Sequence, residues 1–163
     1  MARRVFFSFH WERDIWRISR IRNSWVTQDR EAAGFWDAAD WEAVKRGGEE
    51  IVHRWIDGQL SGTSVTVVLV GAETADRNYI TYAVKASHQK VNGLLAVTLH
   101  NIKDRHQRRD RPGRNPFDNL YIDGGGGRRR YLSAIYPTYD WVLNDGSTNF
   151  ASWVERSARA VGR

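Results

Sequence analysis

Short apolar runs alternate along the chain with segments whose apolar residues recur at helical spacing. The runs are rich in β-branched, leucine and aromatic residues, and they predict strands at residues 3–9, 63–71, 93–100 and 139–143. The other segments place apolar residues three or four positions apart, and they predict helices at residues 11–25, 41–57, 75–90 and 149–161. A fifth strand is expected near residues 34–37 or 120–122.

This alternation predicts an α/β fold with right-handed crossovers and helices on both faces of the sheet. With 163 residues the chain suits one domain, residues 1–163. We therefore expect a single flavodoxin-like, three-layer domain around a central, mostly parallel sheet of about five strands. Residues 63–71 predict a central strand, because their apolar run would be covered on both faces.

In such sheets ligands bind at the carboxyl ends of the strands. The first predicted strand ends at Ser8, Phe9 and His10, and Glu73 closely follows the central one. These residues are candidates for a binding site, although Phe9 also suits the core and Glu73 also suits a turn.

The net charge of +6 is concentrated in one segment. Residues 101–130 hold nine Lys or Arg and four Asp, a balance of +5, together with four consecutive glycines at 124–127. We expect a long basic loop there that forms a mobile hairpin or lid. Nucleic acid is not an expected partner, because no recognised binding module surrounds these cations.

Several classes of site are excluded by residues that the chain lacks. Without cysteine it has no disulfides, thiolate-bound metal or thiol nucleophile. Its five histidines show no metal-binding spacing, so no metal is expected, and no glycine motif of a phosphate-binding loop or Rossmann site is present. No apolar run is long enough to span a membrane. We expect a cytoplasmic protein with no membrane partner.

Three ordered blocks carry a family resemblance. Residues 5–10 (VFFSFH), 62–71 (GTSVTVVLVG) followed by Glu73 and Thr74, and 92–104 (NGLLAVTLHNIKD) resemble the TIR-like family, which includes the ThsB proteins of Thoeris anti-phage defence. Residues 30–37 and 41–42 also fit the pattern. The resemblance covers residues 3–104, and the blocks are specific only in combination.

The resemblance implies a bacterial defence protein that takes NAD+ as its substrate and needs no further cofactor. The expected reaction cleaves the nicotinamide–ribose bond and gives a cyclic ADP-ribose isomer or another ADP-ribosyl product. That diffusible nucleotide would activate a separate effector, a phage protein would act as the trigger, and the protein would form homo-oligomers. The alternative is a non-enzymatic TIR-like scaffold that signals by homotypic assembly.

The resemblance also implies a catalytic glutamate in a Trp-x-x-x-Glu pattern, and here the chain departs from the family. The matching residues are Tyr79 and Ala83, so an alanine stands where the glutamate is expected. The chain as it stands is therefore expected to be inactive. Tyr79 keeps the aromatic of the family pattern, and the residues expected to contact the substrate are Ser8, Phe9, His10, Asp37, Glu73 and Tyr79.

Three explanations of Ala83 are open. It could be an introduced inactivating substitution, or the mark of a natural inactive paralogue that binds a nucleotide or a partner. In the third explanation the helix is matched in the wrong register and Ala83 is an ordinary packing residue. Glu73, Asp37 or Asp40 would then supply the carboxylate.

Overall fold

The computed structural model describes residues 3–26, 32–33 and 38–163, which contain seven strands, five α-helices and three short 3₁₀ helices. The strands are β1 (Val5–Ser8), β2 (Ala32–Ala33), β3 (Val65–Val70), β4 (Gly93–Thr98), β5 (Tyr121–Asp123), β6 (Arg129–Tyr131) and β7 (Thr138–Asp140). The helices are α1 (Trp11–Val26), α2 (Ala38–Arg46), α3 (Glu49–Leu60), α4 (Asn78–Gln89) and α5 (Gly146–Ala160). Within these ranges, no helix is both long enough and apolar enough to cross a membrane.

Five strands form one parallel sheet in the order β2-β1-β3-β4-β7. This is the order of doubly wound, flavodoxin-like folds, in which the chain moves to one edge and then returns through the centre to the other. The predicted fold class, an α/β domain with about five mostly parallel strands, is confirmed.

The fifth strand of the sheet immediately precedes residues 34–37, one of its two expected places. It is β2, at the edge of the sheet beside β1, whereas residues 34–37 lie outside the described residues. The strand near residues 120–122 exists as β5, but it pairs antiparallel with β6 in a separate hairpin. That part of the prediction was wrong because local β-propensity does not specify a pairing partner.

The helices cover both faces of the sheet. In β3, the odd-numbered residues pack with α1 and α5, and Val68 and Val70 pack with α4. Every residue of β3 is buried, as expected of a strand covered on both sides. The three-layer prediction therefore holds.

The helix predicted over residues 41–57 is two helices. Gly48 has a φ of +86°, a left-handed conformation that glycine adopts without a steric penalty, and it separates α2 from α3. Lys45 and Arg46 end α2, and Glu49 and Glu50 begin α3. These charges suit the dipoles of the two helix ends, so the sequence favours a break at this point.

The basic segment 101–130 is attached to the body of the protein. Arg17 Nε donates to the carbonyl oxygen of Ile102 at 2.8 Å, and the Arg13 guanidinium donates to the Asp110 carboxylate at 2.5 and 3.1 Å. The expected hairpin is present as β5 and β6. Its mobility stays a prediction.

Candidate functional site

The candidate site lies where β1 ends and α1 begins. Ser8, Phe9 and His10 occupy this connection, as predicted, and all three residues are buried. The Phe9 side chain is part of the apolar core that includes α1 and α5. Its contribution to the site is the backbone carbonyl, which accepts a hydrogen bond from Tyr79 Oη at 3.3 Å.

His10 is a buried imidazole with one ring nitrogen free. Its Nδ1 lies 3.4 Å from Glu12 Oε2 and 3.4 Å from the backbone nitrogen of Arg13. Its Nε2 has no hydrogen-bond partner among the described residues. Burial and the charge of Arg77 lower the pKa of His10, against the opposing charges of Glu12 and Glu73. A neutral imidazole therefore predominates at pH 7, and its Nε2 is buried without a partner among the described residues.

Tyr79 lies in the first turn of α4 and connects that helix to the end of β1. Its ring packs edge-to-face on Trp41, with the centroids 5.1 Å apart. Burial and the negative charge of Glu12 raise the pKa of Tyr79 well above its ordinary value. The phenol therefore stays protonated and acts as a hydrogen-bond donor. Tyr79 thus lies beside the end of β1, and its contact with substrate stays a prediction.

Glu12 is a carboxylate that the sequence analysis did not single out. Its Oε1 accepts hydrogen bonds from Trp41 Nε1 at 3.0 Å and from Lys45 Nζ at 2.6 Å. Burial alone would raise the pKa of Glu12, but these two bonds lower it to about 2. Glu12 is therefore ionised at every working pH, and Oε2 is the oxygen left to face His10.

Glu73 is joined to α1 and to the basic segment by an ion-pair network. Glu73 Oε2 lies 2.7 Å from Arg13 Nε, and the same guanidinium binds Asp110. These carboxylates hold the Arg13 side chain across the carboxyl ends of β1 and β3. Glu73 is thus near the predicted site, but its carboxylate is paired with the Arg13 guanidinium.

Asp14 is a second acidic residue that the sequence analysis did not select. Its carboxylate is fully buried against the backbone of Gly71, where any Cβ would collide with it. Burial raises the pKa of Asp14 to about 6, opposed by the charge of Arg13. Its Oδ2 has no hydrogen-bond partner among the described residues. The edge of the sheet formed by the carboxyl ends of its strands, here called the carboxyl edge, therefore keeps the Asp14 carboxylate at a cost in folding free energy.

Ala83 lies one turn beyond Tyr79 on α4, as its spacing predicts. It is 1% exposed and packs in an apolar cluster with Phe6, Val52 and Ile56. This packing is what the third explanation expects of Ala83. Asp37 lies outside the described residues, and so does the side chain of Asp40.

Two comparisons with known proteins agree with the resemblance. The sequence profile of the family described as "Thoeris protein ThsB, TIR-like domain" matches residues 6–104, more than half of the chain. The chain belongs to this family. The TIR-like domain is also 35% identical to a protein of Bacillus cereus (strain MSX-D12) named "Putative cyclic ADP-D-ribose synthase ThsB1". That alignment spans 191 positions and covers 94% of this chain and 100% of the relative.

The carboxyl edge of the TIR-like domain can therefore offer several kinds of contact to a ligand. Glu12 supplies a permanent negative charge, His10 a neutral ring nitrogen and Tyr79 a hydroxyl near a backbone carbonyl. Across residues 3–26, 32–33 and 38–163, no three acidic or histidine side chains converge as metal ligands would. The arrangement suits hydroxyl and amide groups, such as those of a nucleotide.

Proposed function

We propose that this TIR-like domain is of the NAD+-processing type that acts in Thoeris-type defence, and that the reaction belongs to forms of the domain that carry a glutamate at the position of Ala83. The observation that carries the proposal is the relative named "Putative cyclic ADP-D-ribose synthase ThsB1", whose whole length aligns with 94% of this chain. The reaction yields a cyclic ADP-ribose isomer or an ADP-ribosyl conjugate. That product activates a separate effector protein, and a phage protein is the trigger.

The proposed chemistry requires a carboxylate beside the reacting ribose. Cleavage of the nicotinamide–ribose bond passes through an oxocarbenium-like state, as glycoside hydrolysis does. A carboxylate placed where the positive charge develops stabilises that state. Cyclisation also requires that water be excluded, since water would otherwise capture the ADP-ribosyl group.

In this chain the carboxylate is absent from position 83. Ala83 has no group that can hold ribose hydroxyls or offset positive charge, and it packs in the apolar cluster with Phe6 and Val52. We therefore propose that the chain binds NAD+ at the carboxyl edge without turning it over. Glu12 Oε2 accepts a ribose hydroxyl, and His10 Nε2 contacts the ligand beside it.

Binding of NAD+ to the unchanged chain tests this proposal. Replacing Glu12 with glutamine keeps an oxygen for the Trp41 hydrogen bond but removes the charge. Hydrogen bonds to charged groups contribute about 1.5–3 kcal/mol, so we expect the NAD+ affinity to fall roughly 10-fold or more in calorimetric titrations. The matched control is Glu50→Gln, at a glutamate on α3 that pairs with Arg54.

Two results would count against the proposal. If the unchanged chain does not bind NAD+, the domain is not an NAD+ receptor. If NAD+ binds equally to the unchanged chain and to the Glu12→Gln chain, the nucleotide does not contact Glu12.

The scaffold function is favoured by one surface feature. Val142 and Leu143 are neighbours in the turn before α5, and they are 45% and 75% exposed. Adjacent exposed apolar side chains mark surfaces that associate with other molecules. A second copy of the chain is the partner that a homotypic scaffold requires.

We expect the chain to self-associate through this turn. Light scattering over a concentration series should show oligomers of the unchanged chain, whereas Leu143→Ser should stay monomeric because it loses apolar area at the contact. Ile51→Ser, which alters an exposed apolar residue on α3, serves as the control and should associate normally. A monomeric unchanged chain at high concentration would contradict the scaffold function.

A further inference from the structure

A groove opens at the amino-terminal end of the sheet, opposite to the candidate site. It has a volume of about 260 Å³ and lies between the segment before β7 and the end of α5. We call it the amino-edge groove. Its walls are mainly apolar or aromatic and include Leu94, Tyr136, Pro137, Tyr139 and Ala160. This composition is typical of small-molecule sites.

The amino-edge groove exists because β7 pairs with only half of β4. The pairing covers Ala96 to Thr98, and the backbone nitrogen of Ala96 donates to the carbonyl of Pro137 at 3.0 Å. In a parallel ladder the next bond toward the amino end would join the carbonyl of Leu94 to the N–H of residue 137. Proline has no N–H, so Pro137 cannot form that bond. The carbonyl of Leu94 is thus directed toward the groove.

Two polar side chains of α5 complete the lining. Arg156 has no ion-pair or hydrogen-bond partner among the described residues. Its neighbour Glu155 is already engaged, at 2.6 Å from Arg3 Nε and 3.2 Å from Arg159 Nε. Ser157 is 5% exposed, and its Oγ has no partner in the part of the chain that the structure describes. The groove is therefore lined by a guanidinium and by a buried serine, and neither side chain has a polar partner among the described residues.

The aromatic walls are held in place by their own contacts. The Tyr139 ring stacks on Trp153, with an interplanar angle of 3° and centroids 4.2 Å apart. The Tyr136 hydroxyl lies 2.6 Å from His88 Nδ1. Neither ring must be reorganised for a flat molecule to enter, so little conformational entropy would be lost on binding.

We infer that the amino-edge groove binds a planar two-ring heteroaromatic anion of the purine nucleoside monophosphate class. An apolar cavity of about 150 Å³ accommodates benzene, so a volume of about 260 Å³ suits two fused rings. An exocyclic amine donates to the Leu94 carbonyl, and the phosphate pairs with Arg156. This site is separate from the proposed NAD+ site, which lies at the other end of the strands.

Titration with AMP tests the inference. All chains carry Glu12→Gln, which weakens nucleotide binding at the carboxyl edge. We expect AMP to bind, and Arg156→Gln to weaken binding at least 5-fold through the loss of the phosphate contact. Ala160→Trp should have a similar or larger effect, because it fills the groove from an exposed helix position. Arg159→Gln is the matched control and should leave the affinity unchanged.

Three results would overturn the inference: no AMP binding, equal binding by the Arg156→Gln and Arg159→Gln chains, or equal affinity for uridine monophosphate, which has a one-ring base. Thermal unfolding of each variant shows whether it is folded. A separate NAD+ titration tests the proposed function. That function fails if Glu12→Gln, made in an otherwise unchanged chain, does not alter the affinity for NAD+.

Discussion

Replacing Ala83 with glutamate is expected to convert a chain that does not cleave NAD+ into one that releases nicotinamide from it. Side chains of an α-helix lean toward its N-terminus. The N-terminus of α4 lies at the carboxyl edge, where Tyr79 meets the Phe9 carbonyl. The new carboxylate would therefore point toward the candidate site. Electrostatic groups at a developing charge contribute about 100-fold or more in rate, which is readily measured.

The matched control for this prediction is Ala83→Gln, which has the same shape without the charge. Both variants overfill the cluster around Phe6 and Val52, at a cost of about 1–3 kcal/mol in the free energy of unfolding. Thermal unfolding should show a larger loss for the glutamate chain, because its carboxylate also carries a desolvation cost in this buried cluster, while only the glutamate chain consumes NAD+ at high protein concentration. Mass spectrometry of the product separates hydrolysis, cyclisation and transfer.

Two outcomes would refute the role of position 83. A folded Ala83→Glu chain that stays silent at high concentration, also after exposure to a phage lysate, would show that a carboxylate there is not sufficient. Turnover by the unchanged chain would show that another residue supplies the carboxylate, as the explanation of a different register requires. Glu12 would then be the first residue to replace.

The long buried elements of the fold could be predicted from sequence, and the short ones could not. β3 is an apolar run rich in β-branched residues and is buried on both faces, and such a run favours a central strand. β2 has two residues, and its place in the sheet depends on pairing with β1 rather than on its own propensity. The break at Gly48 was visible as a glycine pair, but a positive φ is not apparent from composition alone.

The sequence indicated where in the sheet a site would lie, but it did not indicate the carboxylates Glu12 and Asp14 that are found there. Parallel strands bring their carboxyl ends together, so the sequence could place Ser8 and His10 where β1 ends and α1 begins, and their part in binding stays a prediction. Glu12 depends on Trp41 and Lys45, which belong to another helix, so no local pattern could select it. Asp14 did leave a signal, since it lies on the same helical face as Ile18, an apolar position.

The buried carboxylate of Asp14 should make the protein less stable as pH rises. Its pKa is about 6 in the folded chain against an ordinary value of 3.8, chiefly because of burial, with Arg13 opposing and Asp110 reinforcing the shift. The folded state therefore binds this proton more tightly than the unfolded state does. The resulting penalty is absent below about pH 4 and complete above about pH 6. It amounts to about 3 kcal/mol, because each pKa unit corresponds to about 1.4 kcal/mol.

The Asp14→Asn chain isolates this penalty. Asparagine has the same shape but no charge, so any change in packing or amide solvation is the same at both ends of the pH range. Urea unfolding at about pH 4 and about pH 8 should show the variant gaining about 2.5 kcal/mol relative to the unchanged chain, slightly less than the full penalty because the unfolded carboxyl is already about half ionised at pH 4. Asp118→Asn, at an exposed aspartate, should show no such gain. A pH-independent difference for Asp14→Asn would mean that Asp14 titrates normally and that its burial carries no electrostatic cost.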